Sequence, residues 1–340
     1  MTTKQKKILV TGGAGYIGSH TVVELYHSGF QTVIVDNFSN SEKRVLDGIK
    51  AIIKQPVTLY EGNCNDETFL KNVFQQEPDI TGVIHFAAYK AVGESVQKPL
   101  DYYQNNIGSL MTLLKVMSAF HVSNLVFSSS CTVYGQPDQL PVTEQSPKKM
   151  AESPYGNTKQ ICEEILEDFV KSQAQLKVTL LRYFNPIGAH PSAHIGELPI
   201  GVPNNLVPFI MQTASGIREK LTVFGDDYNT PDGTCIRDYI HVVDLAKAHV
   251  KSLYYLEQRE GSSFFDIFNL GTGQGNSVME VIKAFEQIQK EHLNYTIGPR
   301  RSGDVEQVYA NVDKAGTLFN WKAELSLEEA LIDAWRWQKA

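Results

Sequence analysis

Tyr155 and Lys159 are the residues whose types and spacing most directly suggest chemistry in this sequence. Four positions apart, they share one face of a helix, and an ammonium near a phenol favours the phenolate. A phenol whose pKa falls from its ordinary value near ~10 can act as a base at neutral pH. The run Ser128-Ser129-Ser130 lies upstream, and a serine hydroxyl there can hydrogen-bond a substrate oxygen and relay a proton to Tyr155. Together these residues predict proton transfer at a hydroxyl group.

The sequence around these residues predicts the elements that position them. Ser153-Pro154 reads as the start of a helix, with serine as the cap and proline as the first helical residue. Apolar and β-branched runs alternate with helix-like stretches in the first half of the chain, which is typical of a parallel sheet covered by helices. The candidate strands are Ile8 to Thr11, Thr32 to Asp36, Val57 to Glu61, Gly82 to Ala87, Asn124 to Ser128 and Val178 to Tyr183. We therefore predict an α/β protein with a doubly wound parallel sheet, whose ligands lie beyond the carboxyl ends of the strands.

A glycine-rich turn over residues 12–18 follows the first predicted strand and opens a helix. Its missing side chains let backbone amides approach a pyrophosphate at the positive end of the helix. Asp36 lies 18 residues after Gly18 at the end of the next strand, where a carboxylate can accept both hydroxyls of a ribose. A carboxylate there repels a 2′-phosphate and Asn37 follows it, so the pattern favours NAD over NADP, although Lys43 and Arg44 lie nearby. We predict an NAD-binding Rossmann fold.

The second half of the chain reads differently, because prolines punctuate a loop-rich stretch after residue 185. The run Phe265 to Leu270 predicts a strand, and Ser277 with Glu280 has the spacing of a capping box before an apolar helical stripe. We expect this strand and this helix to pack back on the main sheet, so that the two domains interleave. The predicted division is an NAD-binding domain over 1–185, with 235–275 returning to it, and a smaller, mainly substrate-binding domain over 186–340.

Composition narrows the class of protein. The chain has 340 residues, 42% apolar content and a formal charge of −7, which argue for a globular protein that binds neither nucleic acid nor anionic lipid. No apolar run approaches the ~20 residues of a membrane span. The segment Met1 to Lys7 leads towards a strand instead of an apolar signal region. We expect a cytoplasmic protein without a membrane partner.

The cysteines and histidines give no pattern for a metal or a disulfide framework. Cys64, Cys131, Cys162 and Cys235 are scattered without C-x-x-C spacing and are expected to be reduced thiols. The nearest approach to a metal site is His190, His194 and Glu197, but Pro191 and Gly196 place these residues in a loop, where helical ligand spacing means little. We expect no metal.

The chain resembles the extended short-chain dehydrogenase/reductase family nearly from end to end, and within that family its sugar-nucleotide epimerases. The segments that carry the resemblance are Gly12 to Ser19, Asp36-Asn37, His85 to Ala88, Lys90 to Ser95, Tyr103 to Asn106, Ser128 to Gly135, Ser153 to Lys159, Arg182 to His190 and Arg237 to Val242. The resemblance implies an isomerase that interconverts UDP-glucose and UDP-galactose in galactose metabolism. In such an enzyme a tightly held NAD removes a hydride from C4 of the hexose while Tyr155, assisted by Ser130, removes the hydroxyl proton. The 4-keto sugar then turns over and the hydride returns to its opposite face.

The resemblance also implies the catalytic set Tyr155, Ser130 and Lys159 and two sets of binding residues. For the cofactor these are Gly12, Gly15, Tyr16, Ile17, Gly18, Asp36, Asn37, Phe38, Ser39, Asn40, Ser41, Asn63, Cys64, Phe86, Ala87, Ala88, Tyr89, Lys90, Asn105, Ser130, Tyr155, Lys159 and Phe184. For the UDP-hexose they are Ser130, Tyr155, Asn185, Asn205, Leu206, Thr222, Val223, Phe224, Arg237, Arg301 and Asp304. The two arginines present forks of donors that suit a diphosphate or a ribose and that lysine cannot imitate. Domain 186–340 is thereby expected to be mainly UDP-sugar-binding.

Two positions depart from the family pattern. Asn63 stands where relatives commonly have an aspartate that binds the adenine amino group, and its amide oxygen can still accept that hydrogen bond. Val308 stands where some relatives carry a bulky tyrosine against the C2 substituent of the sugar. We hypothesise from its smaller volume that UDP-N-acetylglucosamine and UDP-N-acetylgalactosamine are also accepted.

Three other readings stay open. A nucleotide-sugar 4,6-dehydratase shares the fold and the 4-keto intermediate, but its usual Asp-Glu pair is replaced by Cys131 and Thr132. An epimerase of pentoses or uronates is another reading, although no additional basic contact for a uronate is evident. A non-catalytic NAD-binding sensor would have no need for the acid/base residues. The resemblance finally implies a homodimer built from the helices over Tyr102 to Phe120 and Tyr155 to Phe169.

Overall fold

The structure is a computed structural model that describes residues 6–172, 175–301 and 303–340, so residues 1–5 of the predicted N-terminal segment lie outside it. Its strands are β1 Lys7–Thr11, β2 Gln31–Asp36, β3 Thr58–Glu61, β4 Ile80–His85, β5 Asn124–Ser130, β6 Lys177–Tyr183, β7 Asn185–Ile187, β8 Leu221–Phe224, β9 Ile236–Arg237, β10 Tyr239–His241, β11 Phe264–Leu270, β12 Asn276–Ser277, β13 Tyr295–Gly298 and β14 Gln307–Val308. Its α-helices are α1 Tyr16–His27, α2 Arg44–Ile53, α3 Glu67–Gln76, α4 Val92–Gln97, α5 Pro99–Ala119, α6 Pro154–Lys171, α7 Leu206–Ala214, α8 Val242–Glu257, α9 Val278–Gln289, α10 Asp313–Phe319 and α11 Leu327–Gln338. Cys131–Tyr134 forms a short 3₁₀ helix.

A seven-stranded sheet with helices on both faces forms the larger part of the molecule, and its strand order is β11-β6-β5-β4-β1-β2-β3. All six of its strand pairings are parallel. Side chains alternate across it, since Ile8 and Val10 pack with α1, α2 and α8, whereas Leu9 packs with α3, α5 and α6 on the other face. The six predicted strands and the doubly wound fold are confirmed, with strand ends shifted by at most two residues.

The last strand of this sheet comes from the second half of the chain. Residues Phe264–Leu270 pair in register with Lys177–Tyr183 of β6, so the predicted return of this segment to the main sheet is confirmed. Helix α8, which precedes it, packs on α1 in the same core. The chain therefore leaves the sheet after β6 and re-enters it only at β11.

A smaller cluster of helices and strands is built around a third core of α7, α9, α11, β8 and β13. The predicted capping box of α9 is present, because Ser277 Oγ accepts from Glu280 N and the Glu280 carboxylate accepts from Ser277 N. The expectation that this helix packs on the main sheet is wrong. Its buried stripe, which includes Phe285, packs against α11, and it belongs to the same core as Ile210 of α7.

Among the described residues, no helix is both long enough and apolar enough to cross a membrane. The four cysteines are free thiols, and all except the half-buried Cys131 are buried.

Candidate active site

A cavity of about 1050 Å³ lies at the carboxyl ends of the central strands, where the sequence predicts the ligands. The glycine-rich turn lies against one part of it, Tyr155 and Lys159 against another, and Arg237 and Arg301 against a third. Residues from each of the predicted cofactor, catalytic and substrate sets therefore line one continuous cavity.

Close backbone packing shapes the glycine-rich turn. Gly12 has a φ of 69°, and a Cβ added there would lie 2.8 Å from the amide nitrogen of Ala87. A Cβ at Gly18 would lie 2.2 Å from the carbonyl oxygen of Gly12. Helix α1 starts after Gly15, and no side chain caps it. Its first residues line the cavity, so their N–H groups are left without a side-chain acceptor. This arrangement suits a pyrophosphate at the helix N-terminus.

Asp36 is held in a fixed orientation at the end of β2. Its Oδ1 accepts from the Phe38 amide at 2.9 Å and from the Ser41 hydroxyl at 3.0 Å, and its Oδ2 accepts from the Ala14 amide at 3.0 Å. The carboxylate thus stands beside the turn that would hold a pyrophosphate, with lone pairs left for ribose hydroxyls. The tight turn and the oriented carboxylate fit NAD, and the negative charge disfavours a 2′-phosphate.

Helix α6 positions the acid/base pair. Ser153 is its N-cap and accepts from the Gly156 amide at 3.2 Å, and Pro154 is the first helical residue, as the sequence predicts. Lys159 Nζ donates to the carbonyl oxygen of Ser128 at 2.7 Å and lies 4.9 Å from the centre of the Phe127 ring. The end of β5 and the first turns of α6 are therefore joined directly.

Burial dominates the protonation of this pair. It raises the pKa of Tyr155 well above its ordinary value, the nearby Tyr183 phenol adds to this, and a hydrogen bond with Ser130 opposes it. Burial also lowers the pKa of Lys159 to about 8. The pKa of Tyr155 is thus raised where the sequence predicts a lowered value, because the phenol is only 7% exposed and its charged form loses contact with water.

Asp304 organises the arginines at the other end of the cavity. Arg301 donates to it from Nε at 3.1 Å and from Nη2 at 2.7 Å, and Arg237 Nη2 lies 3.9 Å from its Oδ1. Arg237 Nη1 also donates to the Ile236 carbonyl at 2.9 Å, which fixes the guanidinium on β9. Two cations and one carboxylate in the cavity wall provide donors for a diphosphate and an acceptor for hydroxyl groups.

Most residues predicted to bind a ligand line the cavity. Those that do not are Phe38, Ser130, Phe184, Leu206, Thr222, Val223 and Phe224. Ser130 is buried, and its hydroxyl oxygen accepts from the Thr132 amide at 3.3 Å. Phe224 is exposed at the end of β8, and its ring centre is 5.7 Å from the Arg301 guanidinium, so it lies beside the cavity wall. The binding roles of all these residues stay predictions.

Sequence reasoning missed a large part of the cavity wall. Residues of α4 and of the loop over 196–204 line it. Within this loop, Glu197 accepts from Asn205 Nδ2 at 2.9 Å and pairs at 3.5 Å with Lys90, which precedes α4. The loop over 196–204 has no periodic or motif-like pattern that would have singled it out. The start of α4 lies within the Lys90 to Ser95 segment that carries the family resemblance, but its residues are not among the predicted binding residues. Tyr183, at the end of β6, also lines the cavity and shares a hydrogen bond of 2.8 Å with the Ser128 hydroxyl.

The histidine-containing loop is held by polar contacts within the protein. His190 Nδ1 lies 2.8 Å from the Ser192 hydroxyl, and the Glu197 carboxylate is engaged by Asn205 and Lys90. In the described part of the chain, no group of three or more His, Cys, Asp or Glu side chains is arranged to hold a metal ion.

Comparison with known proteins gives the family. The model of the GDP-mannose 4,6 dehydratase family matches residues 9–334. The UDP-glucose 4-epimerase of Bacillus subtilis (strain 168) is 50% identical over 333 residues, which are 98% of this chain and 97% of that relative. This chain belongs to the UDP-glucose 4-epimerase family. UDP-glucose 4-epimerase 2 of Arabidopsis thaliana is 49% identical, over 98% of this chain and 95% of that protein.

Solved structures in the UDP-glucose 4-epimerase family agree in fold. The enzyme of Bifidobacterium longum, crystallised in complex with NAD+ and UDP, superposes with a TM-score of 0.94 at 46% identity and covers 98% of both chains. The similarity extends over both halves of the molecule, so it includes the cavity between the glycine-rich turn and the arginines.

Proposed function

We propose that this protein is an NAD-dependent UDP-glucose 4-epimerase that interconverts UDP-glucose and UDP-galactose in galactose metabolism. The observation that carries the proposal is the single cavity that joins a dinucleotide cradle, the Tyr155–Lys159 pair and the guanidinium groups of Arg237 and Arg301. A dehydrogenase would need the first two features. An epimerase also needs the two guanidinium groups, because the nucleotide diphosphate must stay anchored while the keto sugar turns its opposite face to the cofactor.

The residues that would hold NAD lie along one side of the cavity. The amides of the turn over 12–18 would hold the pyrophosphate, Asp36 one ribose and Asn63 the adenine. Lys159 and Asn105 would contact the nicotinamide ribose. When bound, NAD supplies hydride chemistry, by taking a hydride from C4 of the hexose and returning it.

Tyr155 would move the proton. In the forward half of the reaction its phenolate accepts the proton of the 4-hydroxyl as C4 loses hydride, so a carbonyl forms at C4. In the reverse half the same phenol returns the proton to the carbonyl oxygen. The buried Ser130 hydroxyl, whose interaction with Tyr155 opposes the rise in the phenol pKa, would orient the phenol and can relay the proton. Because burial alone favours the neutral phenol, the nearby Lys159 ammonium is needed to stabilise the phenolate.

Inversion requires the keto sugar to present its other face while the nucleotide stays bound. Arg237 and Arg301 are fixed to the protein through Asp304 and the Ile236 carbonyl, so they can anchor the diphosphate and uridine. The hexose itself would be bound by the amides of Asn185 and Asn205. In this assignment residues 186–340 bind mainly the UDP-sugar.

The dehydratase that gives the matching family its description is the main rival. Dehydration needs an acid and a base beside the 4-keto sugar, and Cys131 and Thr132 occupy those positions. Burial raises the pKa of the Cys131 thiol to about 12, so it is a poor acid/base at neutral pH. This argues for epimerisation.

Incubation of the purified protein with UDP-galactose tests the proposal. We expect UDP-glucose to accumulate to an equilibrium mixture without net change in NAD, as followed by ¹H NMR of the anomeric proton. Accumulation of a 4-keto-6-deoxy sugar nucleotide would instead establish the dehydratase. Absence of any turnover with UDP-galactose, UDP-pentoses or UDP-uronates would favour a non-catalytic sensor.

The substrate range and the cellular setting belong to the same proposal. Val308 is buried on β14 and lines the cavity, and its small side chain supports acceptance of UDP-N-acetylglucosamine and UDP-N-acetylgalactosamine. Buried free thiols such as Cys64 and Cys162 are consistent with a cytoplasmic protein.

A homodimer is supported by α5 and α6, which pack side by side while Leu100 and Met111 of α5 remain exposed. Burial of these side chains against a second copy would complete a four-helix interface. We expect light scattering to give the mass of a dimer, and Met111→Glu to shift it towards that of a monomer. A monomeric native protein at micromolar concentration would contradict the assignment.

A further inference from the structure

The end of β5 is tied to helix α6 by two hydrogen bonds from successive residues. The carbonyl oxygen of Ser128 accepts from Lys159 Nζ at 2.7 Å, and the hydroxyl of Ser129 donates to Glu163 Oε1 at 2.6 Å. Lys159 and Glu163 are four residues apart, on one face of the helix. Ser130, the next residue of the strand, is thereby fixed relative to the helix that carries Tyr155.

Glu163 is the centre of a buried polar network. It is 2% exposed, and Arg182 of β6, also 2% exposed, donates to both of its oxygens, from Nε at 2.8 Å and from Nη2 at 2.6 Å. Arg182 Nη1 also donates to the Tyr134 hydroxyl at 3.0 Å, which in turn donates to Asn269 Oδ1 of β11 at 2.6 Å. One carboxylate therefore connects α6, the ends of β5 and β6, the 3₁₀ helix after β5 and the last strand of the sheet.

A buried ion pair of this kind is weak evidence for stability, because desolvation of both charges offsets much of their attraction. It does fix geometry, since the planar fork of arginine accepts only one arrangement of the carboxylate. Neither Glu163 nor Arg182 lines the cavity, so neither can touch the substrate. Glu163 instead contacts Ser129, the neighbour of Ser130, and Arg182 contacts Tyr134 of the 3₁₀ helix that follows Ser130.

We propose that Glu163 and Arg182 are positioning residues for the epimerisation, which keep Ser130 and Lys159 in place relative to Tyr155. This inference rests on the proposed function, because it assigns a role within that reaction. The carboxylate acts in two ways. It locks the strand end to the helix through Ser129, and its negative charge stabilises the ammonium form of Lys159.

The charged and titratable groups around Lys159 support the second role. On its own helix these are Tyr155, Cys162 and Glu163, and His85 faces it from β4. Burial lowers the pKa of Lys159 to about 8, and the negative charge of Glu163 opposes that lowering. Removing the charge should therefore make Lys159 lose its proton at lower pH.

Glu163→Gln tests the proposal, with Glu167→Gln as the matched control. Glu167 lies one turn further along α6 and pairs with Lys171 at the surface, so its substitution removes the same charge from the same helix without touching the network. We expect Glu163→Gln to lower kcat for UDP-galactose about 10- to 100-fold, since small misplacement of reacting groups has effects of this size. The KM and the affinity for UDP should change little, and the alkaline limb of the kcat profile should move to lower pH. Glu167→Gln should match the native protein in all four measurements.

A double variant separates positioning from folding. Glu163→Met with Arg182→Met removes both charges, so it should recover the melting temperature that Glu163→Gln loses while kcat stays low. The proposal is overturned if Glu163→Gln keeps the native kcat and pH profile, or if the double variant recovers kcat together with stability. If the native protein does not epimerise UDP-galactose, the proposed function itself is refuted. If the native protein is active and Glu163→Gln is equally active, only the positioning role is refuted.

Discussion

Replacement of Gly12 by alanine tests whether the tight turn at the cofactor end depends on a missing side chain. Alanine at a φ of 69° adopts a left-handed conformation, which costs about 1–2 kcal/mol. Its Cβ would also stand 2.8 Å from the Ala87 nitrogen and 3.1 Å from the Ala87 Cα. Both contacts are with backbone that cannot rotate away, and overpacking of this kind costs about 1–3 kcal/mol. We therefore expect Gly12→Ala to lower the free energy of unfolding by about 2–5 kcal/mol.

Gly29→Ala is the matched control, because Gly29 has a φ of 86° and a Cβ there would meet no atom within 4 Å. It should lose only the backbone component, about 1–2 kcal/mol. Urea titration of both variants gives the difference in unfolding free energy, and NAD released from the purified proteins by acid gives their cofactor content. The strain in Gly12→Ala displaces the turn that would bind the pyrophosphate, and a loss of about 1.4 kcal/mol in binding free energy corresponds to a tenfold loss of affinity. We therefore expect NAD affinity to fall about tenfold or more in Gly12→Ala and to stay unchanged in Gly29→Ala. Equal losses of stability and equal NAD content in the two variants would refute the steric argument.

Three further predictions concern the catalytic pair and the substrate range. Tyr155→Phe should lower kcat for UDP-galactose about 10²- to 10⁴-fold, because it removes the proton acceptor, while titration with UDP should give an unchanged affinity. In protein stripped of NAD, Lys159 loses its proton at a pH of about 8 when folded but near its ordinary pKa of 10.5 when unfolded. Between these two pH values the unfolded state binds more protons than the folded state, so Lys159 should make the free energy of unfolding rise by on the order of 1 kcal/mol per pH unit. Urea titrations at pH 8 and 10 should show this rise in the native protein and not in Lys159→Met. Val308→Tyr should abolish turnover of UDP-N-acetylglucosamine and retain that of UDP-glucose, because the larger ring fills space beside the C2 substituent.

Each of these predictions has an outcome that contradicts it. Full activity of Tyr155→Phe would exclude the proposed proton transfer. Parallel pH dependence of unfolding in the native protein and Lys159→Met would mean that burial does not lower the lysine pKa. Absence of turnover of UDP-N-acetylglucosamine by the native protein at millimolar substrate would show that the space beside Val308 is not sufficient for an N-acetyl group.

Local sequence signals predicted the parts of the molecule that depend on neighbours in the chain. The turn over 12–18, the Ser153 cap of α6 and the capping box at Ser277 each follow from backbone demands that only a few residue types satisfy. Apolar runs gave the strands, because a sheet buried on both faces requires them. The surface against which α9 packs could not be predicted in the same way, because an apolar stripe fits any apolar surface. In the structure that surface belongs to the core that includes α7 and α11.

The properties of the site that depend on distant segments were missed or reversed. The pKa of Tyr155 is set by burial and by Tyr183, which lies on a different strand. The contact of Glu163 with Arg182 joins a helix to a strand, and neither residue type is expected in a core without its partner. Glu197 reaches Lys90 only because a loop of irregular sequence folds over the cavity. Such contacts require knowledge of the tertiary structure.

The position of β11 also bears on how the chain folds during synthesis. Strand β6 is complete at Tyr183, yet the edge that will receive β11 stays open until Phe264–Leu270 has left the ribosome. An open parallel edge can pair with other chains, and contacts between distant segments form slowly. The nucleotide-binding sheet therefore cannot mature on its own while the rest is being translated. A nascent chain stalled within residues 184–263 would expose the edge of β6, so protection by chaperones would act on this stage of translation.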